Sequence, residues 1–418
     1  MTIGGALLRG SLEDTNTPLT ASSLLDWVGG GPTAAGVRVT ERRVYGLPAY
    51  YRAIAVTAGT LAGLPVKVYR AGTRERVHQQ TVIDNPNPRQ TPFEFRFSLY
   101  ANALSWGNGF AFKIRNAADV VTETWLIHPS RVDVIEVHPT PANPAGKLFR
   151  VTFFDGVSGL FTPWDVFHLP YMSLDGVSGI RPLELFRQRL GIAIAAEETA
   201  AGFYGSGAMV SGILSTEQEL TPTEAEALKR RWKAKVSGPH RAGDVAVLDR
   251  GAKFEKVALP PGDAQLLESQ KFSVTEIARM IGTPPHLVMD VERSTSWGTG
   301  IEQQALGWVK FTLATWITAS EQRYTRELLP GGWNQAAWYA ESILEGLLRG
   351  DSKARAEFYR VLVGIGALSP AEVRDKENLE PVDGLDFYTV PKNMQVVDTA
   401  GDDASQEGTD DDQTDDQA

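Results

Sequence analysis

The chain has no cysteine among its 418 residues. That absence excludes disulfide bonds, thiolate nucleophiles and every metal site that uses a cysteine ligand. No stretch approaches the roughly 18 apolar residues that span a bilayer, and the first residues lack the charged start and apolar core of a signal peptide. We therefore expect a protein that stays in the cytosol where it is made, makes no membrane contact, and owes its stability to burial and assembly.

Signatures of catalysis are also missing. The sequence contains neither G-x-x-x-x-G-K-[ST], the phosphate cradle of P-loop motors, nor H-E-x-x-H. Its six histidines stand far apart in the chain, so turn or core roles are favoured over metal ligation. The segment Gly176–Gly179 is one residue short of the G-x-S-x-G nucleophile elbow. We predict no catalytic residues, no metal, no cofactor and no enzymatic activity.

The charge is unevenly distributed. The net charge is −10, but nine acids and no bases lie after residue 395: Asp398, Asp402, Asp403, Glu407, Asp410, Asp411, Asp412, Asp415 and Asp416. Removing those nine from the total of 51 acids leaves 42 acids against 41 Lys and Arg. The tail is too polar to bury a core and is predicted to be disordered, most simply as a solvated solubility tail. The rest of the chain is nearly neutral, so it lacks the excess of basic residues found in proteins that bind DNA tightly through many phosphates.

Helix and strand patterns predict an α+β fold. An Ala-rich helix is expected over 45–64 and a strand over 66–69. Three capping boxes with proline at the first helical position start helices after Thr91, Thr221 and Ser369, running to Trp106, Val236 and Leu379. Strands are predicted at 110–114, 132–137, 148–154, within 159–169 and at 213–214, with a helix over 182–204. A strand pair is expected between 245–248 and 253–257.

The most informative stretch runs from Asp263 to Leu329. It contains two long helical patterns, over 263–281 and 301–329, joined by the loop Ser294, Thr295, Ser296, Trp297, Gly298, Thr299 and Gly300, with Arg293 beside it. Glycines supply dihedral freedom, and the hydroxyls and Trp297 supply contact groups. These residues suit a loop that contacts a partner surface and changes shape. In one interpretation, the loop hydroxyls make weak hydrogen bonds to phosphate. A plain surface loop, or a loop that contacts neighbouring subunits only, remains the alternative.

A basic segment precedes this stretch. Between Lys229 and Lys256 nine Lys and Arg face three acids. The candidate docking residues are Arg230, Arg231, Lys233, Lys235, Arg241, Arg250 and Lys253. A nucleic-acid-binding helix, a rim for an acidic partner and a solvated face are all compatible with these charges. The ten tryptophans favour interfaces, although any single one is more often a core residue.

Ordered fragments of the chain resemble HK97-type bacteriophage portal proteins. They span about residues 40–395 and include Asn85-Pro86-Asn87, Gly107-Asn108-Gly109-Phe110-Ala111, Asp165-Val166-Phe167-His168, Gly179, Pro284-Pro285-His286-Leu287, Ile301-Glu302-Gln303-Gln304 and Leu379-Glu380-Pro381. Each fragment alone is weak, and the ordered set is fairly specific. Two departures stand out: many relatives place a proline near Thr315 that bends the long helix, and Trp297 is bulkier than expected.

The resemblance implies a ring, typically of twelve copies, at one capsid vertex, with a channel for double-stranded DNA. It implies a flexible N-terminal arm (1–35), a wing (36–215 and 285–338), stem helices (216–237 and 260–284), a clip (238–259), a tunnel loop (294–300), a long helix (301–329), a helical crown (339–392) and an acidic tail (393–418). The implied partners are other copies, DNA, the terminase large subunit, head-completion or neck proteins, and the major capsid or scaffold protein. An α+β enzyme acting on phosphorylated or nucleic-acid substrates, or a neck adaptor, remains the alternative.

Overall fold

The computed structural model describes residues 32–205, 212–215, 221–227, 230, 253–256, 274–289, 299–331, 337–344, 352–377 and 379–389. The predicted arm up to residue 31, most of the clip and the acidic tail lie outside these residues. The chain divides into two compact units, Met1–Leu344 and Glu345–Ala418. The mixture of helices and antiparallel sheets confirms the predicted α+β class.

Helices that pack on one another begin the first unit. Helix α1 spans Glu41–Tyr45 and α2 spans Pro48–Gly63, so the helix predicted from residue 45 starts instead at the proline. Helix α3 spans Pro92–Trp106 and begins with the predicted capping box: the Thr91 hydroxyl accepts from the Glu94 backbone N–H, and the Glu94 carboxylate accepts from the Thr91 N–H. Gly107 ends α3 in the left-handed conformation. Helices α2 and α3 pack together, and Ile54, Leu61 and Leu99 on them are buried.

The first unit contains two three-stranded antiparallel sheets. One has the order β3-β2-β7, from Val121–Ile127, Asn108–Arg115 and Val166–Pro170. The other has the order β4-β5-β6, from Val132–Glu136, Lys147–Thr152 and Ser158–Phe161. Phe110, Phe149 and Val166 join the two sheets in one buried cluster. Strand β3 was missing from the sequence prediction, and the strand-rich stretch 159–169 is two strands separated by a turn.

Strand β1 (Val66–Arg70) pairs antiparallel with β10 (Trp338–Ser342). Helix α4 covers Pro182–Leu185 and α5 covers Arg187–Gly205, so the helix predicted over 182–204 is interrupted at Phe186. Strand β8 (Gly212–Ser215) pairs with β9 (Lys253–Lys256). The partner predicted for 253–257 was 245–248, which lies outside the described residues; the observed partner follows α5 instead. Residues 222–227 and 274–281 are helical.

The long helix predicted over 301–329 is continuous but not uniform. Helix α6 spans Thr299–Trp308, a π-helical turn spans Val309–Leu313, and α7 spans Ala314–Leu328. The assignment of Thr299 and Gly300 to the loop was wrong, because both residues belong to the first turn of α6. The backbone hydrogen bonds of a helix do not require apolar side chains, so α6 extends two residues before Ile301, the first apolar residue of the stripe.

The second unit contains α8 (Ser352–Gly364) and α9 (Pro370–Lys376). The predicted capping box at Ser369 and Glu372 is present, and the helix ends at Lys376 rather than at Leu379. The turn between the helices passes through Gly366, whose φ is 73°. Extended residues 379–389 return to this pair, where the Ala371 N–H donates to the Leu385 carbonyl over 3.1 Å.

Candidate channel-loop base and docking segments

The predicted tunnel loop is bounded by described structure on both sides. Arg293, Ser294, Thr295, Ser296, Trp297 and Gly298 lie outside the described residues, whereas Thr299 and Gly300 open α6. On the other side a short 3-10 helix, Pro285–Val288, ends at Met289 in the left-handed conformation. The loop residues therefore connect two defined chain ends.

The chain before the loop is anchored on α2. The Thr57 and Thr283 hydroxyls form a buried hydrogen bond of 2.9 Å. The Arg52 Nε donates to the Leu287 carbonyl over 3.1 Å. Because α2 is itself buried against α3, these two bonds hold residues 283–287 on a rigid support.

The chain before the loop and the long helix after it touch at Gly282. Gly282 has a φ of 78°, and a Cβ on it would lie 3.0 Å from the Thr312 Cγ2. Thr312 belongs to the π-helical turn, which widens the helix by one residue at this contact. The same turn ends at Leu313, two residues before Thr315.

The C-terminal turn of α7 is fixed to the β3-β2-β7 sheet by a buried carboxylate. One oxygen of Glu327, a residue only 3% exposed, accepts from the His168 backbone N–H over 3.0 Å and lies 3.8 Å from the Lys113 Nζ. Its other oxygen accepts from the Arg323 guanidinium over 2.7 Å. The Lys113 ammonium also donates to the Pro163 carbonyl over 2.7 Å. Buried charge here is paired and hydrogen-bonded, as the low-polarity interior requires.

A second chain of polar contacts crosses the same core. The Lys147 Nζ lies 3.0 Å from the His168 Nδ1, and the His168 Nε2 lies 2.9 Å from the Asn108 Oδ1. Since an ammonium has only protons to donate, Nδ1 is the acceptor and the neutral imidazole carries its proton on Nε2. The Asn108 Oδ1 also accepts from the Gly179 N–H over 2.8 Å. These contacts bring together Asn108, His168 and Gly179, which belong to three separate fragments of the resemblance to portal proteins.

Burial lowers the pKa values of the basic side chains in this cluster. Desolvation is the main cause that lowers the pKa of Lys113 to about 8, against the opposing attraction of Glu327. Desolvation likewise lowers the pKa of Lys147 to about 8. It also holds the pKa of His168 well below 6.5, and the Lys147 charge acts in the same direction. The imidazole is therefore neutral at physiological pH, in agreement with its hydrogen bonds.

Sequence reasoning gave the histidines core or turn roles but did not identify this cluster. The sequence did contain a signal for these buried lysines. Lys113 follows the apolar residues Phe110-Ala111-Phe112 in β2, and Lys147 is the first residue of β5. Within the described residues no three His, Asp or Glu side chains are grouped so as to hold a metal ion. No helix in that part of the chain is both long and apolar enough to cross a bilayer.

The predicted docking residues are only partly described. Arg230 is helical and exposed, and Lys253 is exposed at the first position of β9, opposite Ser215. Arg231, Lys233, Lys235, Arg241 and Arg250 lie outside the described residues. At the start of the predicted stem helix, the Glu224 half of the capping box is present: the Thr221 N–H and hydroxyl both donate to the Glu224 carboxylate, at 3.1 and 2.8 Å.

Comparison with known proteins assigns the family. The profile of the family described as "Phage portal protein" matches residues 48–378. The portal protein of Enterobacteria phage HK97 is 30% identical over 394 residues, which cover 92% of this chain and 88% of the relative.

Solved structures share the fold. A portal protein of the HK97 family from Corynebacterium diphtheriae has a TM-score of 0.54 at 16% identity and covers 77% of this chain and 99% of its own. A chain in the neck of a native gene transfer agent particle, computed with C12 symmetry, has a TM-score of 0.51 at 19% identity and covers 87% of this chain and 100% of its own. The chain therefore belongs to the phage portal protein family and is an HK97-type virion protein that forms the portal at the capsid vertex.

Proposed function

We propose that twelve copies of this chain close into a ring through which double-stranded DNA enters during packaging and leaves during ejection. The observation that carries this proposal is the 30% identity to the HK97 portal protein over 92% of the chain. The twelvefold neck of the gene transfer agent, to which the fold is similar, supports the copy number. A body with 42 acids and 41 bases outside the tail suits a channel through which DNA must slide, because strong phosphate pairing would arrest it.

The ring proposal has a direct size test. The purified chain should elute as a complex many times 45.6 kDa by light scattering, and particles with a central hole should be visible by negative-stain microscopy. A stable monomer that turns over a phosphorylated or nucleic-acid substrate would favour the enzyme alternative instead.

We infer that residues 293–298 contact the passing DNA and that α6, the π-helical turn and α7 form the support behind them. Support for this role comes from the anchored flanks. Thr283 and Leu287 are bonded to α2, and Gly282 contacts Thr312, so the nine residues between Met289 and Thr299 extend from a stiff base. Hydroxyls and Trp297 can touch a phosphate backbone without reading bases.

The loop test replaces residues 294–298 by five glycines and leaves the first turn of α6 intact. We expect rings to form normally, whereas DNase-protected DNA per particle falls. A glycine replacement of the exposed turn 71–75, which has the same length, serves as the control and should leave DNA content unchanged. Normal DNA content in the 294–298 variant would reject a DNA-contacting role.

We infer that the basic stem and clip, including Arg230, Arg231, Lys233, Lys235, Arg241, Arg250 and Lys253, dock the packaging motor and later the neck proteins. The exposure of Arg230 and Lys253 is compatible with this role. ATP hydrolysis then belongs to the terminase large subunit, since this sequence has no P-loop.

The docking test compares two double variants of the assembled ring. Arg230→Gln with Lys253→Gln should weaken binding to purified terminase large subunit and reduce its salt dependence. Arg42→Gln with Arg76→Gln removes two exposed wing charges and should leave binding unchanged. Equal affinities for both variants would contradict docking at the stem and clip.

A further inference from the structure

Helix α8 in the second unit has apolar residues on two opposite faces. Tyr359 and Val363 are four residues apart and therefore share one face. They line the cleft between α8 and α9, together with Pro370 and Val373 from the α9 side. Tyr359 is buried there. This face of α8 is thus covered within the unit.

The opposite face of α8 has no such cover in the single chain. Phe358, Val361 and Ile365 follow one another at steps of three and four residues, so they form one stripe on the side of the helix away from the cleft. The Ile365 N–H donates to the Val361 carbonyl over 3.0 Å, so the helical path continues to the end of this α8 stripe. Its three side chains are 55, 49 and 52% exposed. A helix that is apolar all round is typically buried on every side.

A second exposed apolar set lies on the extended chain after α9. Leu379, Val382 and Phe387 are each about half exposed, and we call them the extended-chain patch. The extended chain runs beside α9 and reaches the α8–α9 cleft at Thr389, whose hydroxyl donates to the Val363 carbonyl. It therefore lies on the cleft side of α8, whereas the α8 stripe faces the other way.

Two different apolar surfaces on opposite sides of α8 fit a cyclic assembly. A ring with one rotation axis is closed by heterologous contacts, in which one surface of each copy meets a different surface of the next copy. The similar chain in the gene transfer agent neck comes from a particle computed with C12 symmetry.

The size of the α8 stripe favours a neighbour in the ring over a free partner. Half-exposed side chains of this kind offer at most about 100 Å² each, so three of them offer about 300 Å². A stable complex between free proteins needs roughly 800 Å² from each partner. A contact of the smaller size is sufficient between copies that a ring already holds together at high effective concentration.

We propose that the α8 stripe of each copy packs against the extended-chain patch of the next copy around the ring. This inference rests on the ring proposed above and adds the surfaces through which the second units meet. It involves neither the DNA-contacting loop nor the basic stem and clip.

Cross-linking between chains tests the contact. Because the natural chain has no cysteine, engineered cysteines link only with one another. Val361→Cys chains are co-expressed with chains that contain Val382→Cys or Phe387→Cys, and the purified mixed rings are mildly oxidised. We expect at least one mixture to give a disulfide-linked dimer with one chain of each kind, identified by mass spectrometry of the linked peptide. Rings of either variant alone should give none, because the contact joins two different surfaces.

The matched control is Arg360→Cys in place of Val361→Cys. Arg360 is the preceding residue, is exposed, and lies on the cleft side of α8, so it should not link. Purified rings contain no capsid, scaffold or motor protein, and a link in them assigns the α8 stripe to a neighbouring copy. Intact rings without mixed dimers, or equal linking by Arg360→Cys, would overturn this inference and leave the ring proposal standing. A natural chain that is monomeric by light scattering would defeat both.

Hydrogen exchange tests the contact without a covalent link. Val361→Asn and Arg360→Asn introduce the same residue at adjacent positions of α8, both exposed in the single chain. The pair that Arg360 forms with Glu357 is exposed and contributes little. In assembled rings, Val361→Asn should make the amides of 358–364 exchange about tenfold faster than Arg360→Asn does, because only Val361 loses apolar contact with the next copy. Equal exchange rates would mean that the α8 stripe faces solvent in the ring and would reject the contact.

Discussion

The Glu327 carboxylate on α7 accepts a 3.0 Å hydrogen bond from the His168 backbone N–H on β7. This bond joins the last turn of the long helix to the β3-β2-β7 sheet. The same carboxylate lies 3.8 Å from the Lys113 ammonium and 2.7 Å from the Arg323 guanidinium. One side chain thereby pairs two cations and satisfies one strand N–H in the interior.

Loss of the Glu327 charge should therefore be costly. We expect Glu327→Gln to reduce the free energy of unfolding by about 3–5 kcal/mol, because Lys113 would stay buried without its counter-charge. Urea unfolding followed by circular dichroism measures the effect. Glu184→Gln breaks the exposed pair with Arg181, a 2.9 Å contact, and should cost at most about 1 kcal/mol. Similar losses for the two variants would show that the buried cluster has no special role.

The lowered pKa values of Lys113 and Lys147 predict a pH dependence. Both fall from 10.5 to about 8, so between those values the unfolded chain binds more protons than the folded chain. Stability from these groups is therefore lost as pH falls through about 8 and should increase as pH rises above it. We expect unfolding free energy measured from pH 7 to about 9.5 to show this increase, before tyrosine ionisation begins near 10.

The matched variant for the pH experiment is Lys147→Met, which keeps the length of the side chain and removes the titrating group. Its unfolding free energy should increase less steeply above pH 8 than that of the natural protein. Lys67→Met on β1 is the control and should preserve the slope. An unchanged slope in Lys147→Met would mean that Lys147 titrates normally.

Gly107 and Gly179 should tolerate no side chain. A Cβ on Gly107 would lie 1.8 Å from the Ile180 carbonyl oxygen, and one on Gly179 would lie 1.9 Å from the Gly107 oxygen. Gly156 has a similar left-handed φ of 82° but open space around it. Gly156→Ala should thus cost about 1–2 kcal/mol from the backbone alone. Gly107→Ala should cost roughly 3 kcal/mol more, seen as lost folded yield and a lower Tm. Equal costs would disprove the steric argument.

The Thr57–Thr283 hydroxyl pair allows a double-mutant cycle at the loop base. Thr57→Val or Thr283→Val alone should each cost about 1–3 kcal/mol, since the remaining buried hydroxyl loses its partner. The double variant should lose clearly less stability than the sum of the two single variants, because no buried hydroxyl is then left unpaired. Additive losses in urea unfolding would show that the two hydroxyls do not act as a pair.

Helix starts could be predicted from the sequence where the residues that mark them are only a few positions apart. The capping boxes at Thr91 and Ser369 form as predicted, and the Glu224 carboxylate bonds the Thr221 N–H, because the bonded groups are three residues apart. Strand β3 was missed, although Val121–Ile127 pairs antiparallel with the preceding strand β2. Its buried residues, Val121, Thr124 and Ile127, are three positions apart, so the strand lacks the period-two alternation on which strand prediction depends.

The candidate loop illustrates a different limit. Periodicity located the helices around it and predicts a helix start at Ile301, the first apolar residue of the stripe. Helix α6 begins two residues earlier, because backbone hydrogen bonds can extend a helix beyond its apolar stripe. The DNA-contacting role of residues 293–298 stays a prediction, as does docking at the basic stem and clip.

Sequence alone determined the absence of disulfides, the acidic tail, the α+β class, the helix starts that carry capping boxes and the resemblance to portal proteins. These depend on composition, on spacings of a few residues, or on the order of short fragments. Only the tertiary structure showed that Asn108, His168 and Gly179 meet, that Glu327 neutralises Lys113, and that Gly282 contacts Thr312. Those contacts join residues far apart in the chain, and their energies come from burial and close approach, which exist only once the chain has folded.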